Sequence, residues 1–368
     1  MDAEGPGLVF TIISFLLALT VLVFVHEWGH YIVARLFNVR VDVFSIGFGK
    51  EILGWTDRHG TRWKISAIPL GGYVKFFGDA GAASNPGEGL DAMSAEERAV
   101  SFHHKSVGAR AAIVAAGPVI NLVFAALIYA VLFMSLGQPY RPAVVSEVVS
   151  ETPAAEAGLE AGDRVVSVEG YAVSNARELV RVVGLYPGQP VTLRLKRDGS
   201  TLSLPVGLER VMQTDRFGNE YARGRLGVVL GAQEEIRRMG PFEALGGAVS
   251  ETANMLRFML VATGQVIMGV RSVDDLGGPV RIAKITGEQA SLGLIAFIEF
   301  IALISINLGL VNLFPIPMLD GGHLLFYGFE ALKGSPVSAR VQEFGYIVGF
   351  ALIISLMVFL TWNDLHAL

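Results

Sequence analysis

The stretch Val25-His26-Glu27-Trp28-Gly29-His30 closes an uncharged apolar run that begins at Gly7. An apolar run of that length reads as a membrane helix. The chain therefore carries ionisable side chains at membrane depth, where they are costly and functional by default. On a helix, His26 and His30 project from one face about one turn apart, the spacing at which two imidazoles grip one Zn²⁺. Glu27, on the adjoining face, is placed to act as general base on a water at that metal. The pattern predicts zinc-dependent hydrolysis within the bilayer. The competing reading, interfacial polar residues at the end of an ordinary span, leaves the clustering of three ionisable groups in five positions unexplained.

Composition agrees with a membrane setting. The chain has 368 residues, 52% hydrophobic and only 17% charged, more apolar than a soluble globular protein. Four segments approach the ~20 apolar residues that a bilayer requires: Gly7 to Phe37, Ala111 to Leu136, Leu294 to Leu319 and Phe344 to Trp362. The first is expected to be retained rather than cleaved as a signal peptide, because no basic residue precedes it and the candidate site lies within it. A fifth stretch, Met255 to Val270, carries Arg257 and Gln265. Its charge-free run of about 13 residues is too short to cross, so a helix on the membrane surface or against the bundle is expected.

Charge placement sets an orientation. Asp2 and Glu4 precede the first span without any base, whereas the loop after it holds Arg35, Arg40, Lys50, Arg58, Arg62, Lys64, Lys75, Arg98, Lys105 and Arg110. That loop is expected in the cytoplasm, with both termini outside. A net charge of -5 offers no footprint for nucleic acid. With no cysteine in the chain, a zinc site must be built from His, Asp or Glu.

A catalytic zinc takes three protein ligands and keeps one position open. Beside the two histidines, the candidates in or near spans are Glu299, Asp320, Glu330 and Asp364. Asp320 stands out because it lies in Asn312-Leu-Phe-Pro315-Ile-Pro317-Met-Leu-Asp320-Gly-Gly-His323, where two prolines interrupt the third span. Broken helix at membrane depth is tolerated only beside protein or a water-filled cavity. Depth agrees as well. His26 comes ~29 Å along the first span at 1.5 Å per residue, near the cytoplasmic face, and the third span runs the same way and meets Asp320 at its far end. His323, one turn past Asp320, is either a fourth ligand or a neighbour of the ligands; as a ligand it would close the open position.

These motifs resemble the site-2 protease family of intramembrane zinc metalloproteases. The matching residues are His26-Glu27-x-x-His30, Gly117-Pro118-Val-Ile-Asn121 and Asn312-x-x-Pro315-x-Pro317-x-Leu319-Asp320-Gly321, with a PDZ-like segment between. The resemblance implies one Zn²⁺ per chain held by His26, His30 and Asp320, Glu27 as catalytic base, and Asn312 assisting substrate or transition state. Asn121, with Gly117 and Pro118, reads either as a kink with a polar interhelical contact or as a residue beside the cavity, where a buried Asn finds a partner; it is grouped with Asn312, Pro315 and Pro317 as a substrate or transition-state candidate. It also implies a single-span membrane protein of anti-sigma-factor type as substrate, with leftover signal peptides as further substrates, in a bacterial inner membrane with the active site near the cytoplasmic face. Some relatives carry two tandem PDZ domains, whereas only one is legible here.

Two accessory parts follow. Val41-Asp-Val-Phe-Ser-Ile, Thr61-Arg-Trp-Lys-Ile-Ser and Gly71-Gly72-Tyr73-Val74-Lys75-Phe-Phe77 read as short strands separated by glycine-containing turns. In the resembled family such a sheet enters the membrane and presents substrate by strand addition, here on Gly71 to Lys75; the plain alternative is a sheet that covers the cytoplasmic mouth. Asn85 to Asp91 reads as a mobile loop. Val144 to Leu208, with Gly162-Asp163 turning into a buried strand, resembles the PDZ fold of exported proteases. Its groove would take an extended peptide or chain end, or the domain would act as a size gate.

The expected fold is a multi-span α-helical membrane protein with four transmembrane helices, a small membrane-associated β-sheet and an inserted α+β PDZ-like domain. Its parts are 1–37 (first span), 38–106 (sheet and loop), 107–137 (second span), 138–209 (PDZ-like), 210–290 (linker with an amphipathic surface helix), 291–325 (third span) and 341–364 (fourth span). A catalytically silent membrane PDZ receptor or scaffold is the alternative from another class; Glu27 argues against it, since a binding protein needs no base beside the histidines. A zinc transporter is a third, disfavoured by a single site near one face.

Overall fold

The computed structural model describes residues 6–79, 81, 90–214, 220–231, 235–269 and 277–366. The run after Gly7 can satisfy its backbone in lipid only as helix, and α1 spans Leu8–Leu36. The helices that follow are α2 (Ala95–Val100), α3 (Val107–Ser135), α4 (Pro153–Glu156), α5 (Ala176–Gly184), α6 (Pro241–Ile267), α7 (Pro279–Ser291), α8 (Leu294–Asn312), α9 (Asp320–Lys333) and α10 (Ala339–His366). The strands are β1 (Val41–Thr56), β2 (Arg62–Phe76), β3 (Gln138–Tyr140), β4 (Val145–Val148), β5 (Arg164–Val168), β6 (Tyr171–Ala172), β7 (Pro190–Arg197), β8 (Ser200–Gly207), β9 (Glu209–Thr214), β10 (Glu220–Arg225), β11 (Val228–Leu230) and β12 (Glu235–Arg237). Among the described residues, α1, α3, α8 and α10 are the helices long and apolar enough to cross a membrane.

The chain divides into two units. The first comprises Met1–Tyr129, Ala248–Leu256 and Gly278–Trp362. Within it α1 buries the stripe Ser14, Ala18, Leu22, His26, His30 and Ala34, an i, i+4 progression that keeps one helix face against protein. Ala18 and Leu22 pack with Phe297 and Ile301 of α8. Leu8, Val9, Ile13 and Leu17 are exposed on the protein surface, the arrangement of a helix with one face toward lipid. A second cluster joins Ala34, Val41, Phe44, Val74, Phe76, Phe102, Ile113 and Val114, fixing the sheet against the ends of α1 and α3.

The sheet differs from the expected short strands. β1 and β2 are long, and Val43 to Ile46 is matched both with Gly72 to Lys75 and with Arg62 to Ile65. Bending supplies this double matching: Gly47 and Gly49 adopt φ of +87° and +86°, which glycine tolerates freely. The glycines thus bend a continuous strand where the sequence reading ended one. The outer part of this hairpin exposes Phe48, Ile52, Leu53, Trp55, Ile65 and Ile68, an apolar surface of the kind that marks a membrane or protein contact. Most of the loop read from Asn85 to Asp91 lies outside the described residues.

The second unit comprises Ala130–Gly247, Arg257–Gly277 and Asn363–Leu368. Its core is the four-stranded sheet β6-β5-β7-β8, whose inward side chains Val165, Val168, Val191, Leu193 and Leu195 pack with Leu179, Val182 and Val183 of α5. Asn175 caps α5 by accepting from the Glu178 N–H at 2.9 Å. Two boundaries move. The stretch after residue 209 is not a linker: β11 pairs with β4 and β12 with β3. These strands are too short for an alternation pattern, so only backbone pairing reveals them. The expected surface helix is the C-terminal half of α6, and its side chains turn to this unit: Val261 joins the core, the Arg257 guanidinium lies 3.7 Å from the Tyr171 ring centroid, and the Gln265 side chain donates to the Leu185 carbonyl at 2.7 Å.

Candidate metal centre

Six elements of the first unit converge on one cavity of about 410 Å³, lined by His26, Glu27 and His30 of α1, Gly72, Tyr73, Val74 and Phe76 of β2, Val114 of α3, Asn312 at the end of α8, Met318 before α9, Asp320 and His323 of α9, and Tyr346 of α10. The helix break that brings Asp320 here has a local cause. Pro315 and Pro317 lack the N–H that would continue α8, and Met318 takes φ of 89° before α9 begins at Asp320. Gly321 and Gly322 permit the fold-back, because a Cβ on either would run into the backbone of Leu313 to Pro317.

His26 Nε2 lies 3.1 Å from Asp320 Oδ2, His30 Nε2 lies 3.6 Å from Asp320 Oδ1, and the two Nε2 atoms are 3.2 Å apart. Zinc bonds of about 2.0–2.1 Å in a tetrahedron imply ligand-to-ligand spacings of about 3.3 Å, so the two imidazole nitrogens, each close to one oxygen of the Asp320 carboxylate, stand near enough to converge on one ion. Hydrogen bonding supports the same fit. His30 donates Nδ1–H to the Ile113 carbonyl at 2.9 Å, which leaves Nε2 as a lone pair aimed inward. Asp320 Oδ2 has no hydrogen-bond partner despite its proximity to His26, as expected of an atom placed to meet a cation. Among the described residues, these three form the group able to hold a metal.

The surroundings are shaped for close approach. A Cβ at Gly117 would come 2.9 Å from His26 Cε1 and collide with the His30 ring, and one at Gly72 would meet Val23 Cγ1 at 2.7 Å and Glu27 Cγ at 3.3 Å. Both glycines are thus where a backbone passes the site. Gly72 to Val74 borders Glu27, with the Val74 N–H on the side of the strand toward its carboxylate. The Phe76 N–H, with the same polarity, turns to Asp79 Oδ2 at 3.0 Å. Alternate amides of this strand therefore point away from β1, and among the described residues no strand pairs on that side.

Several sequence assignments shift. Asn121 is 0% exposed and stands behind the ligands, its side-chain amide 3.1 Å from His26 Nδ1. Its carbonyl accepts from Ser305 Oγ at 2.8 Å, so it is packed between helices rather than open to substrate. Pro315 and Pro317 shape the break without lining the cavity; a Cβ at Gly345 would lie 3.5 Å from Pro317 Cγ. Gly71 and Lys75 likewise do not line it, since Gly71 turns beneath Phe48 and Lys75 is matched to Val43. Tyr346 was missed: its one sequence signal is a phenol within an apolar helix, which says nothing of where that helix packs.

The second unit has its own cavity of about 370 Å³, between Leu179, Val180 and Val183 of α5 and Val228 and Leu230 of β11, with Thr152, Arg223 and Arg225 on its wall.

Comparison with known proteins gives the family. The sequence profile of peptidase family M50 matches residues 14–356. The Agrobacterium fabrum protein named "Putative zinc metalloprotease Atu1380" is 46% identical over 361 residues, 97% of this chain and 96% of that protein. Metalloprotease MmpA of Caulobacter vibrioides is 36% identical, with 98% of this chain and 96% of that protein covered. Regulator of sigma-E protease RseP of Salmonella typhimurium is 34% identical, with 98% and 100% covered. The chain belongs to peptidase family M50, the site-2 proteases, and is a zinc metalloprotease whose described residues include four helices long and apolar enough to cross a membrane.

Proposed function

We propose that this chain cleaves the transmembrane segment of single-span membrane proteins at the cavity walled by α1, β2 and α9, with an anti-sigma factor as its regulatory substrate and remnant signal peptides as further ones. The observation that carries the reading is that Glu27 and the donor atoms of His26, His30 and Asp320 share one cavity with the open side of a strand. His26, His30 and Asp320 would hold one Zn²⁺ per chain, which when bound supplies a Lewis acid that polarises the scissile carbonyl and acidifies water. Glu27 takes the proton of the attacking water and delivers it to the amine that leaves.

A helical substrate must unwind before its carbonyl is accessible, because its amides are engaged within the helix. The outward amides of β2 from Gly72 to Val74 suit that role, since an extended peptide adds to an open strand side by main-chain hydrogen bonds. Asn312 is positioned on the cavity wall to hydrogen-bond the substrate backbone. The relative named regulator of sigma-E protease supports an anti-sigma-factor substrate and an inner-membrane setting for this chain too. The basic loop after the first span supports a cytoplasmic placement of the sheet, with both termini and the PDZ-like domain outside. The PDZ-like cavity is assigned to an extended peptide or chain end.

The test is to incubate the purified full chain with a tagged single-span protein and map the product ends by mass spectrometry. A cut within the apolar segment, absent with Glu27→Gln, is the expected result. Cutting confined to the soluble flank, or undiminished in Glu27→Gln, would overturn the reading.

A further inference from the structure

His323 and Tyr346 are polar side chains on the cavity wall with no part in ligation or in proton transfer by Glu27. His323 is one helical turn past Asp320 on α9, so both project from the same face. Tyr346 reaches it from α10, with Oη 3.4 Å from His323 Nδ1. The phenol is held in turn by Phe326, edge-on at 5.9 Å between ring centroids and 88°. Gly345 and Gly349 let α10 press against Pro317, because a Cβ at Gly349 would overlap the Pro317 backbone. Tyr346 is therefore tied to the same loop that sets Asp320.

That contact couples the tautomer of His323 to the direction of the Tyr346 hydroxyl. When the Tyr346 hydroxyl donates to Nδ1, a neutral His323 must carry its proton on Nε2 and can only donate there. A metal-ligand role is disfavoured by geometry, since the atoms of His26, His30 and Asp320 lie within 4.8 Å of one another and His323 is outside that group. A fourth protein ligand would also close the position that substrate and water need. A fixed N–H donor on the wall of a peptidase site suits the oxygen that gains charge when water adds to a carbonyl.

We propose that His323 is a further catalytic residue, donating Nε2–H to the scissile carbonyl oxygen, and that Tyr346 is the positioning residue that sets its tautomer. As the water oxygen bonds to the carbonyl carbon, the π pair moves onto the carbonyl oxygen, where the His323 hydrogen bond stabilises it. When that pair returns, the C–N bond breaks and Glu27 passes the water proton to the amine, while the His323 proton stays on Nε2. The inference rests on the assignment of this cavity as the peptidase site.

The test uses the full chain in detergent with a tagged single-span substrate. Wild type, Glu27→Gln, His323→Ala, His323→Gln and Tyr346→Phe are compared for kcat, KM, zinc per chain and inhibition by a phosphinic peptide that mimics the tetrahedral state. His323→Ala is expected to lower kcat by roughly 10²–10³-fold, the effect of losing one such donor, with KM and zinc content unchanged and phosphinate affinity weakened in parallel. His323→Gln, whose amide can still donate, should recover part of the rate, and Tyr346→Phe should fall between. Loss of zinc in His323→Ala and His323→Gln would make His323 a ligand, and an unchanged kcat would make it mere lining; either overturns the proposal. Wild type that shows no Glu27-dependent cleavage overturns the site assignment itself, and the proposal with it.

Discussion

His26 and Asn121 meet across two helices: the Nδ1 atom of the imidazole lies 3.1 Å from the side-chain amide. With Nε2 aimed at Asp320, Nδ1 carries the ring proton. A half-turn of the amide then sets Oδ1, which otherwise lacks a partner, to accept it. Such a contact fixes ring orientation and raises ligand basicity, and its loss typically costs 10–100-fold in metal affinity. Asn121→Leu should therefore lose zinc to a competing chelator at about 10–100-fold lower concentration than wild type, while Asn121→Asp, which keeps an acceptor, should retain it. Equal zinc retention in Asn121→Leu and wild type would reduce Asn121 to helix packing.

Gly117 gives a steric prediction. Because a Cβ there would run into both histidine rings, Gly117→Ala should displace the ligands and abolish zinc binding, with an overpacking cost of about 1–3 kcal/mol. Gly108→Ala, nine residues before Gly117 on α3 and facing open space, should leave zinc content and stability unharmed. Zinc titration of the two variants checks the contrast.

The open strand side gives another. Gly72→Ala would press on Val23, Ser45 and Glu27, pushing the strand off α1 without touching a ligand. Full zinc content with reduced cleavage of a membrane substrate is expected. Loss of zinc would show instead that the strand supports the metal site.

Acid stability of the PDZ-like unit follows from Asp163. Hydrogen bonds from Arg197, at 2.7 Å to each carboxylate oxygen, hold its carboxyl below the usual range. A folded value below the unfolded one means stabilisation that is full above the ordinary carboxylate value near pH 4 and is lost as pH falls through the depressed folded value. Amide exchange in the full chain should show residues 143–208 less protected in Asp163→Asn than in wild type at about pH 6, with the gap closing only in strong acid. A gap independent of pH would assign the effect to packing.

How much of this was legible depended on whether the signal was local. His26, Glu27 and His30 stand in five consecutive residues, and Asp320 was found because prolines beside it broke an apolar run. The bends at Gly47 and Gly49 were read as strand ends, since a sequence shows a glycine but not that the strand continues past it. β11 and β12 pair with strands 80 to 99 residues away, too far and too short for a periodic pattern. For Asn121 the sequence left two readings, a polar contact between helices or a residue beside the cavity, because it shows the helix and not its rotation; in the structure the side chain meets His26 while the carbonyl accepts from Ser305.

The most direct test measures zinc per chain and cleavage of one tagged single-span substrate, side by side, for wild type, Glu27→Gln and Asp320→Ala. The account predicts zinc and cleavage in wild type, zinc without cleavage in Glu27→Gln, and neither in Asp320→Ala. Cleavage by Glu27→Gln at the wild-type rate, or zinc and activity retained in Asp320→Ala, would contradict it.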